Sequence, residues 1–389
     1  MLTRTGLLIG LALVALFLAG CSSGDVDPPE CDRIRLSGPI TLSDAAQYDC
    51  AATALALIEP AGSIPGVDVN ASDENGNIPL VLAAEHNSIN VARLLIENGA
   101  ETEANSIREM GSYDYPLLAA VKHDSKDVAE LLIENDTGWF DYGREFESLN
   151  TAISSNSLHM IKLLIENRIN PNEQERDLGY WRRVVESNSL EIASMLIELG
   201  VDVNARDKNG MSALMIAVSE PRSSPRKPES LALIKLLLER GAEVNAKTPN
   251  ARTPLHIAIT RIDVSVELLV SSYDSSDAAL VKMLLEAGAD VNAMAEEGKS
   301  KTPIIGAARG NFADVATLLI EAGAEVNLKG EDKKPPLWWA LRACYVPISN
   351  LDCSGERGAV ARILLANGAE YEPFGIEKDW LNDAVDSLR

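Results

Sequence analysis

The side chains best suited to catalysis or metal binding are histidine and cysteine, and their spacing here argues against both roles. The histidines are His86, His123, His159 and His256, and no two of them lie three or four residues apart. A helical metal clamp needs that spacing, because only then do two imidazoles share one face. No Cys-x-x-Cys pair occurs, and no nucleophile is grouped with a base and an oxyanion donor. The sequence therefore predicts that the protein is not an enzyme and holds no metal or cofactor.

Cys21 is the cysteine whose surroundings predict a modification. It follows an apolar run, Leu7–Ala19, and a short charged start at Arg4 precedes that run. The run is short for a membrane span and has the length of the apolar core of a signal sequence. Residues 1–20 are therefore predicted to be a signal peptide that is not part of the folded domain.

The residues up to Cys21 resemble the lipobox of bacterial lipoproteins, with the sequence Leu18-Ala19-Gly20-Cys21. The resemblance implies cleavage before Cys21, which would then carry a diacylglycerol and an N-acyl chain. Several acyl chains hold a protein on a bilayer where a single chain would not. The alternative is an uncleaved anchor, or a secretory signal in which Cys21 is incidental.

The residues after Cys21 predict a tether and a location. Residues 21–40 begin with a polar stretch, Ser22–Glu30, that contains proline and glycine and suits a linker between lipid and fold. In lipoproteins of enteric bacteria, aspartate after the modified cysteine is the signal for retention in the inner membrane. Ser22 stands at that position. The resemblance therefore predicts a lipid-anchored protein of the bacterial cell envelope, at the outer membrane and facing the periplasm.

The rest of the chain repeats a pattern of two short helices, and its clearest copy spans residues 302–327. Thr302 can cap a helix, and Pro303 suits the first turn of that helix. Gly310 interrupts the pattern, and Gly323 suits the left-handed residue that follows a second helix. The Leu-Leu-Ile-Glu signature of the second helix recurs in nine copies, which begin at Ala56, Leu94, Leu131, Leu163, Met195, Leu236, Met283, Leu318 and Ile363.

The spacing of these copies, 32 to 47 residues, is typical of stacked repeats with one helix pair per unit. The chain resembles the ankyrin-repeat family, and the closest local match is Thr253-Pro254-Leu255-His256-Ile257-Ala258. The resemblance implies an all-α solenoid of about nine helix-hairpin units with short β-hairpin-like turns, over residues 41–389. It also implies that the protein binds another protein through a concave groove and the finger turns beside it.

The longest spacings locate insertions near residues 218–230, 261–277 and 344–356. Each insertion falls between the first and second helix of its unit. Insertions on one face of a solenoid often form a functional surface. Surface loops also tolerate extra length at little entropic cost, so both interpretations stay open.

The cysteines other than Cys21 are expected to form disulfides, because an exported protein folds in an oxidising compartment. Four such cysteines allow three pairings. Nine helix pairs stacked at about 10 Å each place the two ends on the order of 80 Å apart, which excludes a bond between the ends. The expected pairs are Cys31 with Cys50 and Cys344 with Cys353, and buried free thiols are the alternative.

The third to fifth units depart most from the family pattern, and aromatic residues are concentrated in their connecting turns. Rigid aromatic side chains on finger turns are candidate hot spots for binding. The residues predicted to contact a partner are Tyr113, Tyr115, Trp139, Phe140, Tyr142 and Tyr180. The alternative is that these rings fill gaps in irregular units. Trp181 is expected to pack, because it stands at the leucine position of the motif.

The formal net charge of −23 over 389 residues argues against nucleic acid as the ligand, because no basic face is present to neutralise phosphates. The charge favours a basic protein partner, although acidic ankyrin repeats need not have one. A specialised alternative is an immunity protein that binds and neutralises a toxin, for example a lipase, delivered to the periplasm. The protein is expected to be a monomer.

Overall fold

The computed structural model describes residues 31, 40–60, 66–102, 115–135, 144–167, 172, 179–219, 228–260, 275–295, 302–330, 333–342, 358–370 and 385. The chain divides into two compact units, residues 1–169 and residues 170–389. Both units are built from pairs of short antiparallel helices. Within the described ranges no β-strand forms, and a single isolated antiparallel bridge joins Arg206 to Ser212.

The first unit holds four helix pairs among its described residues. They are α1 (Leu42–Gln47) with α2 (Ala51–Ile58), α3 (Pro79–Glu85) with α4 (Ile89–Glu97), α5 (Pro116–Lys122) with α6 (Lys126–Glu134), and α7 (Arg144–Ser154) with α8 (Leu158–Asn167). The first helices α1, α3, α5 and α7 pack on one another in that order, and so do the second helices α2, α4, α6 and α8. The unit therefore has two helical layers with the apolar core between them.

The second unit holds five helix pairs among its described residues. They are α9 (Gly179–Ser187) with α10 (Leu190–Glu198), α11 (Ala213–Val218) with α12 (Pro228–Glu239), α13 (Pro254–Thr260) with α14 (Ser275–Glu286), α15 (Pro303–Gly310) with α16 (Ala313–Glu321), and α17 (Pro336–Arg342) with α18 (Ala359–Ala366). The first helices again form one continuous layer, from α9 to α17. Nine helix pairs in the described residues confirm the predicted all-α repeat architecture.

The boundaries of a pair follow from local chemistry, as α15 and α16 show. The side chain of Thr302 accepts a hydrogen bond from the backbone N–H of Ile305, and Pro303 opens the helix. Asn311 then adopts a left-handed φ of 53°, which lets the chain reverse into α16. Gly323 ends α16 at a φ of 93°, a conformation that costs glycine nothing. The sequence pattern predicted these boundaries.

In several of the described turns, an asparagine side chain bonds to the backbone that follows the next second helix. The Asn245 side chain donates from Nδ2 to the Gly288 carbonyl at 2.9 Å and accepts at Oδ1 from the Asp290 N–H at 2.7 Å. The same two bonds recur at Asn70, Asn172, Asn204, Asn292 and Asn327. These bonds fix the register of neighbouring pairs.

A second set of side-chain bonds joins the pairs of the first unit at the turn between the two helices. Asp49, at a left-handed φ of 54°, accepts from the backbone N–H groups of Asn90 and Val91, both at 3.0 Å. Asn87, also at 54°, accepts from the N–H of Val128 at 3.2 Å. Small polar residues tolerate this backbone conformation, and their side chains cap the next second helix.

Replacing Asn245 with alanine should lower the free energy of unfolding by about 1–2 kcal/mol, because one carbonyl and one N–H lose their partners. Thermal melting followed by circular dichroism measures the effect. Asn250→Ala is the matched control, since Asn250 is exposed in a turn of the same unit. An equal loss in both variants would show that the asparagine bonds do not stabilise the repeat.

Within the part of the chain that the structure describes, none of the helices combines the length and the apolar character that crossing a membrane requires.

Candidate protein interface

Most side chains of the first helices are buried, and the last turns of these helices reach solvent. In α7 and α9, Glu147, Arg182 and Arg183 are exposed as well, nearer the start of the helix. In α3, for example, Leu80 and Ala84 are buried, whereas His86 just after the helix is exposed. The accessible positions of this kind are Glu85, His86, Lys122, His123, Ser154, Ser155, Glu186, Ser187, Arg309 and Arg342. All of them are polar except for the stems of the long side chains. The first-helix ends therefore offer hydrogen-bonding and charged groups to a partner.

The connecting turns are the second accessible surface, and an aspartate organises two of them in the same way. Asp73 accepts from the N–H groups of Asn75 and Asn77 at 2.8 and 2.9 Å, and Gly76 takes a φ of 83°. Burial raises the pKa of Asp73, but these bonds and one from the Asn77 side chain lower it more, so the pKa lies below the usual value. The Asn75-Gly76 pair therefore lies in a tight reversal of the chain.

The equivalent turn of the second unit forms around Asp207. Its carboxylate accepts from the N–H groups of Asn209 and Met211 at 2.9 and 2.8 Å, and Gly210 takes a φ of 73°. A Cβ on Gly210 would lie 2.8 Å from Cδ of Pro249 in the next turn. Two neighbouring turns therefore touch directly, and their shape is set before any partner binds.

Tyr115 was predicted to contact a partner, and the structure places it in the core. Its side chain is 4% exposed, and its hydroxyl lies 2.9 Å from the hydroxyl of Ser148, which is also buried. Tyr115 stands directly before α5, at the position that Thr302 occupies before α15. The ring therefore turns into the interface between α5 and α7 instead of standing on a finger.

Tyr180 is a second correction of the same kind. Its ring is fully buried beside Trp181, with ring centroids 6.0 Å apart. Burial, and secondarily the negative charge of Asp202, raise the pKa of the Tyr180 hydroxyl far above its usual value. Trp181 is 1% exposed, and its Nε1–H donates to the Asp202 carbonyl at 3.4 Å. The packing predicted for Trp181 is confirmed, and Tyr180 shares it.

Several predicted sites lie outside the described residues. They are the lipidation site Cys21, the cysteines Cys344 and Cys353, and the aromatic candidates Tyr113, Trp139, Phe140 and Tyr142. The same holds for the signal peptide, for most of the tether, and for most of the three insertions. These sites stay predictions.

Cys31 and Cys50 are joined by a disulfide, and both residues are 1% exposed. Cys50 directly precedes α2, so the bond attaches Cys31 to the first helix pair.

The described residues contain no group of three or more potential metal ligands. His256 is buried in its motif, where its Nδ1 lies 2.9 Å from the Thr253 hydroxyl.

Sequence reasoning summed charge over the whole chain and missed how charge is distributed over the turns. The turn around Asp73 adds a second acid, Glu74. The turn around Asp207 carries Arg206 and Lys208 instead, and both of these side chains are exposed. This difference in charge can be read from the sequence, but only when the equivalent turns are aligned with each other.

Comparison with known proteins identifies the repeat. A family model of ankyrin repeats in three copies matches residues 183–278, and a model of a single ankyrin repeat matches residues 75–106. A comparison with curated protein sequences finds no significant match. Among solved structures, the chain is similar to the ankyrin repeat domain of Bcl-3, titled a unique member of the IkappaB protein family. The identity is 23%, the match covers 58% of this chain and 93% of that one, and the TM-score is 0.47.

The matched residues include whole helix pairs with the geometry described above. Residues 75–106 contain α3 and α4, and residues 183–278 contain α10 to α13 with part of the helices that flank them. Repeats of this kind are protein-interaction scaffolds that are generally not enzymatic. The chain thus contains ankyrin repeats and has the fold of an ankyrin-repeat domain.

Proposed function

We propose that this chain is a lipid-anchored protein of the bacterial cell envelope that binds another protein through its first-helix ends and connecting turns. One observation carries the binding part of the proposal. The accessible turns are held by internal bonds and by direct contact, as between Gly210 and Pro249. A surface that is ordered beforehand loses little conformational entropy when a partner binds.

The envelope location rests on two features. The sequence Leu18-Ala19-Gly20-Cys21 has the form of a lipobox after a signal-like apolar run. The disulfide between Cys31 and Cys50 suits an oxidising compartment such as the periplasm, since disulfides are rare in the cytosol. With Ser22 after the modified cysteine, the proposed site of attachment is the outer membrane, on its periplasmic side.

Replacing Cys21 with alanine should move the protein from the membrane fraction to the soluble fraction of lysed cells, because the acyl chains have no other attachment site. Immunoblots of fractionated cells and mass spectrometry of the N-terminal peptide measure the change. Ser22→Ala is the control, since it retains the cysteine. Persistent membrane association of the Cys21 variant would contradict the lipid anchor.

The protein-binding part is tested by site-specific crosslinking in living cells with the anchor intact. A photo-crosslinking residue at His123, an exposed first-helix end, should yield a discrete conjugate with an envelope protein. The same residue at Lys162, on the exposed face of second helix α8, serves as the control. Equal conjugates at His123 and at Lys162 would contradict binding through the first-helix ends. The absence of a conjugate both at His123 and at Arg309, a first-helix end of the second unit, would contradict it as well.

A second candidate function is that of an immunity protein that binds a toxin delivered to the periplasm. The observation that favours it is the net charge of −23, which would speed association with a basic toxin. Cells that carry the gene should then survive a toxin encoded beside it, and cells without the gene should not. Equal survival would remove this candidate and would leave the general proposal standing.

A further inference from the structure

The first helix pair exposes an apolar side chain at a position where every later pair has a polar one. Leu55, on α2, is 43% exposed. It stands directly before Ala56, the first position of the Leu-Leu-Ile-Glu signature. The residues at the same position of the later second helices are Arg93, Glu130, Lys162, Ser194, Lys235, Lys282, Thr317 and Arg362. Leu55 is therefore an exception at a position that normally carries a hydrophilic group.

Tyr48 is a second exception in the same pair. Its side chain is 41% exposed, and it stands at the end of α1, just before α2 begins. At the equivalent first-helix ends, the next two pairs have His86 and His123. The turn that leads into α2 therefore presents an aromatic ring to solvent where its neighbours present imidazoles.

Val67 adds apolar surface near the other end of α2. Its N–H donates to the Leu57 carbonyl at 3.0 Å, as the N–H of Val201 does to the Leu196 carbonyl in a later pair. Val67 is 45% exposed, whereas Val201 is 4% exposed. The Asn172 side chain of the preceding turn bonds to the residues on both sides of Val201. Within the described residues no turn precedes Val67 in this way, so Val67 marks the open end of the stack.

We call Tyr48, Leu55 and Val67 the apolar end. Three of the five large apolar side chains that are exposed in the described residues belong to it. Among the described helices, α2 packs mainly on α1 and on α4. The apolar end therefore follows α2 along its length, at the start of the layer that the second helices form.

The proposed lipid anchor keeps the apolar end close to a bilayer. Cys31 is joined by its disulfide to Cys50, which directly precedes α2. Cys21 and Cys31 are ten residues apart in the sequence. A chain of that length reaches about 35 Å when it is fully extended, and its root-mean-square span as a flexible coil is about 18 Å. The disulfide thus makes the start of α2 the point at which the tether ends.

We propose that the apolar end rests in the headgroup region of the bilayer to which Cys21 attaches the protein. This inference rests on the lipid anchor of the proposed function and adds a second point of membrane contact, at the first helix pair. Leucine and valine side chains gain free energy when they leave water, and tyrosine favours the interface between membrane and water. Because the tether holds the surface and the bilayer together at high effective concentration, a small apolar area is sufficient.

The charges beside the apolar end favour a zwitterionic lipid surface over an anionic one. Glu59 directly follows α2, Asp68 directly follows Val67, and both carboxylates are exposed. The sequence of α2 contains no basic residue, whereas helices that bind anionic lipids carry lysine and arginine. The contact is therefore apolar, and it depends on the anchor for its strength. Release of the Cys21→Ala variant from the membrane agrees with this dependence.

A second copy of the chain fits the apolar end less well than the bilayer does. A stable protein interface buries about 800 Å² on each partner, with some twenty residues on each side. Three partly exposed apolar side chains supply only a small part of that area. A lipid surface requires no complementary shape, so the same three side chains can enter it.

The first test is photo-crosslinking in the acylated full chain, reconstituted in vesicles of phosphatidylethanolamine and phosphatidylcholine. A diazirine residue in place of Leu55 should form an adduct with phospholipid, detected by mass spectrometry of the peptide that contains it. The control is the same residue in place of Lys162, which holds the equivalent exposed position of α8. We expect about tenfold more phospholipid adduct at Leu55 than at Lys162, because apolar side chains and not the tether alone bring α2 to the lipid.

The second test changes Leu55 and records the crosslink from Tyr48. Leu55→Arg introduces the residue that α4 has at this position, and it should lower the phospholipid adduct at Tyr48 about tenfold, since arginine resists transfer out of water. Leu190→Arg is the matched control, because Leu190 is an exposed leucine on α10. Its adduct at Tyr48 should equal that of the unchanged chain. Circular dichroism melting shows that both variants fold.

Three results would overturn the inference. They are equal or absent phospholipid adducts at Leu55 and Lys162, a Leu55 crosslink to a second copy or to another segment of the chain in place of lipid, and an unchanged Tyr48 adduct in Leu55→Arg. Failure of the inference is separate from failure of the proposed function. If Cys21→Ala still releases the protein while Leu55 forms no lipid adduct, the anchor stands and only the contact of the first helix pair is lost.

Discussion

Replacing Trp181 with alanine should lower the free energy of unfolding by about 3–5 kcal/mol. The indole is 1% exposed, lies against Tyr180, and donates a hydrogen bond to the Asp202 carbonyl. The change therefore removes a large buried ring and leaves a cavity that the surrounding helices cannot fill completely. It also leaves the Asp202 carbonyl without this donor. Denaturation followed by far-ultraviolet circular dichroism measures the loss, since the change also removes a fluorophore.

Two further variants serve as controls for Trp181→Ala. Trp181→Phe keeps most of the ring volume and should cost clearly less than alanine. Tyr48→Ala truncates a ring that is 41% exposed, and we expect it to cost less than about 1 kcal/mol. Similar small losses for Trp181→Ala and Tyr48→Ala would mean that the Trp181 ring does not belong to the core of the second unit.

The helix pairs could be predicted from the sequence because each one carries strong local signals. The apolar residues of the Leu-Leu-Ile-Glu signature recur at helical spacing, and the left-handed backbone after the second helix favours glycine. Gly323 and Asn311 show these signals together. Stacked repeats depend on contacts between neighbours, so correct local structure already determines most of the fold.

Burial of the aromatic residues could not be predicted in the same way. Tyr115 and Tyr180 lie at the junction of a turn and a first helix, where a shift of one or two residues decides between solvent and core. Tyr115 stands where a regular repeat has threonine, and its hydroxyl lies within hydrogen-bond distance of the Ser148 hydroxyl in the next pair. Ser148 is 33 residues away in sequence, so no local pattern predicts this contact.

The connecting turns could be predicted from the sequence, but the distribution of charge over them was not. The resemblance pointed to the finger turns, and the described turns are indeed ordered and accessible. Total charge suggested a basic partner, yet Lys208 stands in the turn around Asp207 at the position that Glu74 occupies in the turn around Asp73. Position along the repeat, and not the sum over the chain, decides what a local surface attracts.

Replacing both Cys31 and Cys50 with alanine should lower the free energy of unfolding by about 3 kcal/mol, because the unfolded chain has more conformational entropy without the closed loop. The cysteines are 19 residues apart in sequence, and both are buried. Asp49, next to Cys50, accepts hydrogen bonds from the start of α4. Loosening the first helix pair should therefore also expose α4 amides to hydrogen exchange.

Reduction of the unchanged protein provides the control for the cysteine variant. With a reducing agent present, the melting temperature of the unchanged chain should fall by more than that of the double variant, in which only the predicted Cys344–Cys353 bond is left to reduce. Amides of α16, in the second unit, should keep their protection in both proteins, because each repeat contacts only its neighbours. If reduction left the melting temperature and the α4 amides unchanged, the disulfide would not stabilise the first helix pair.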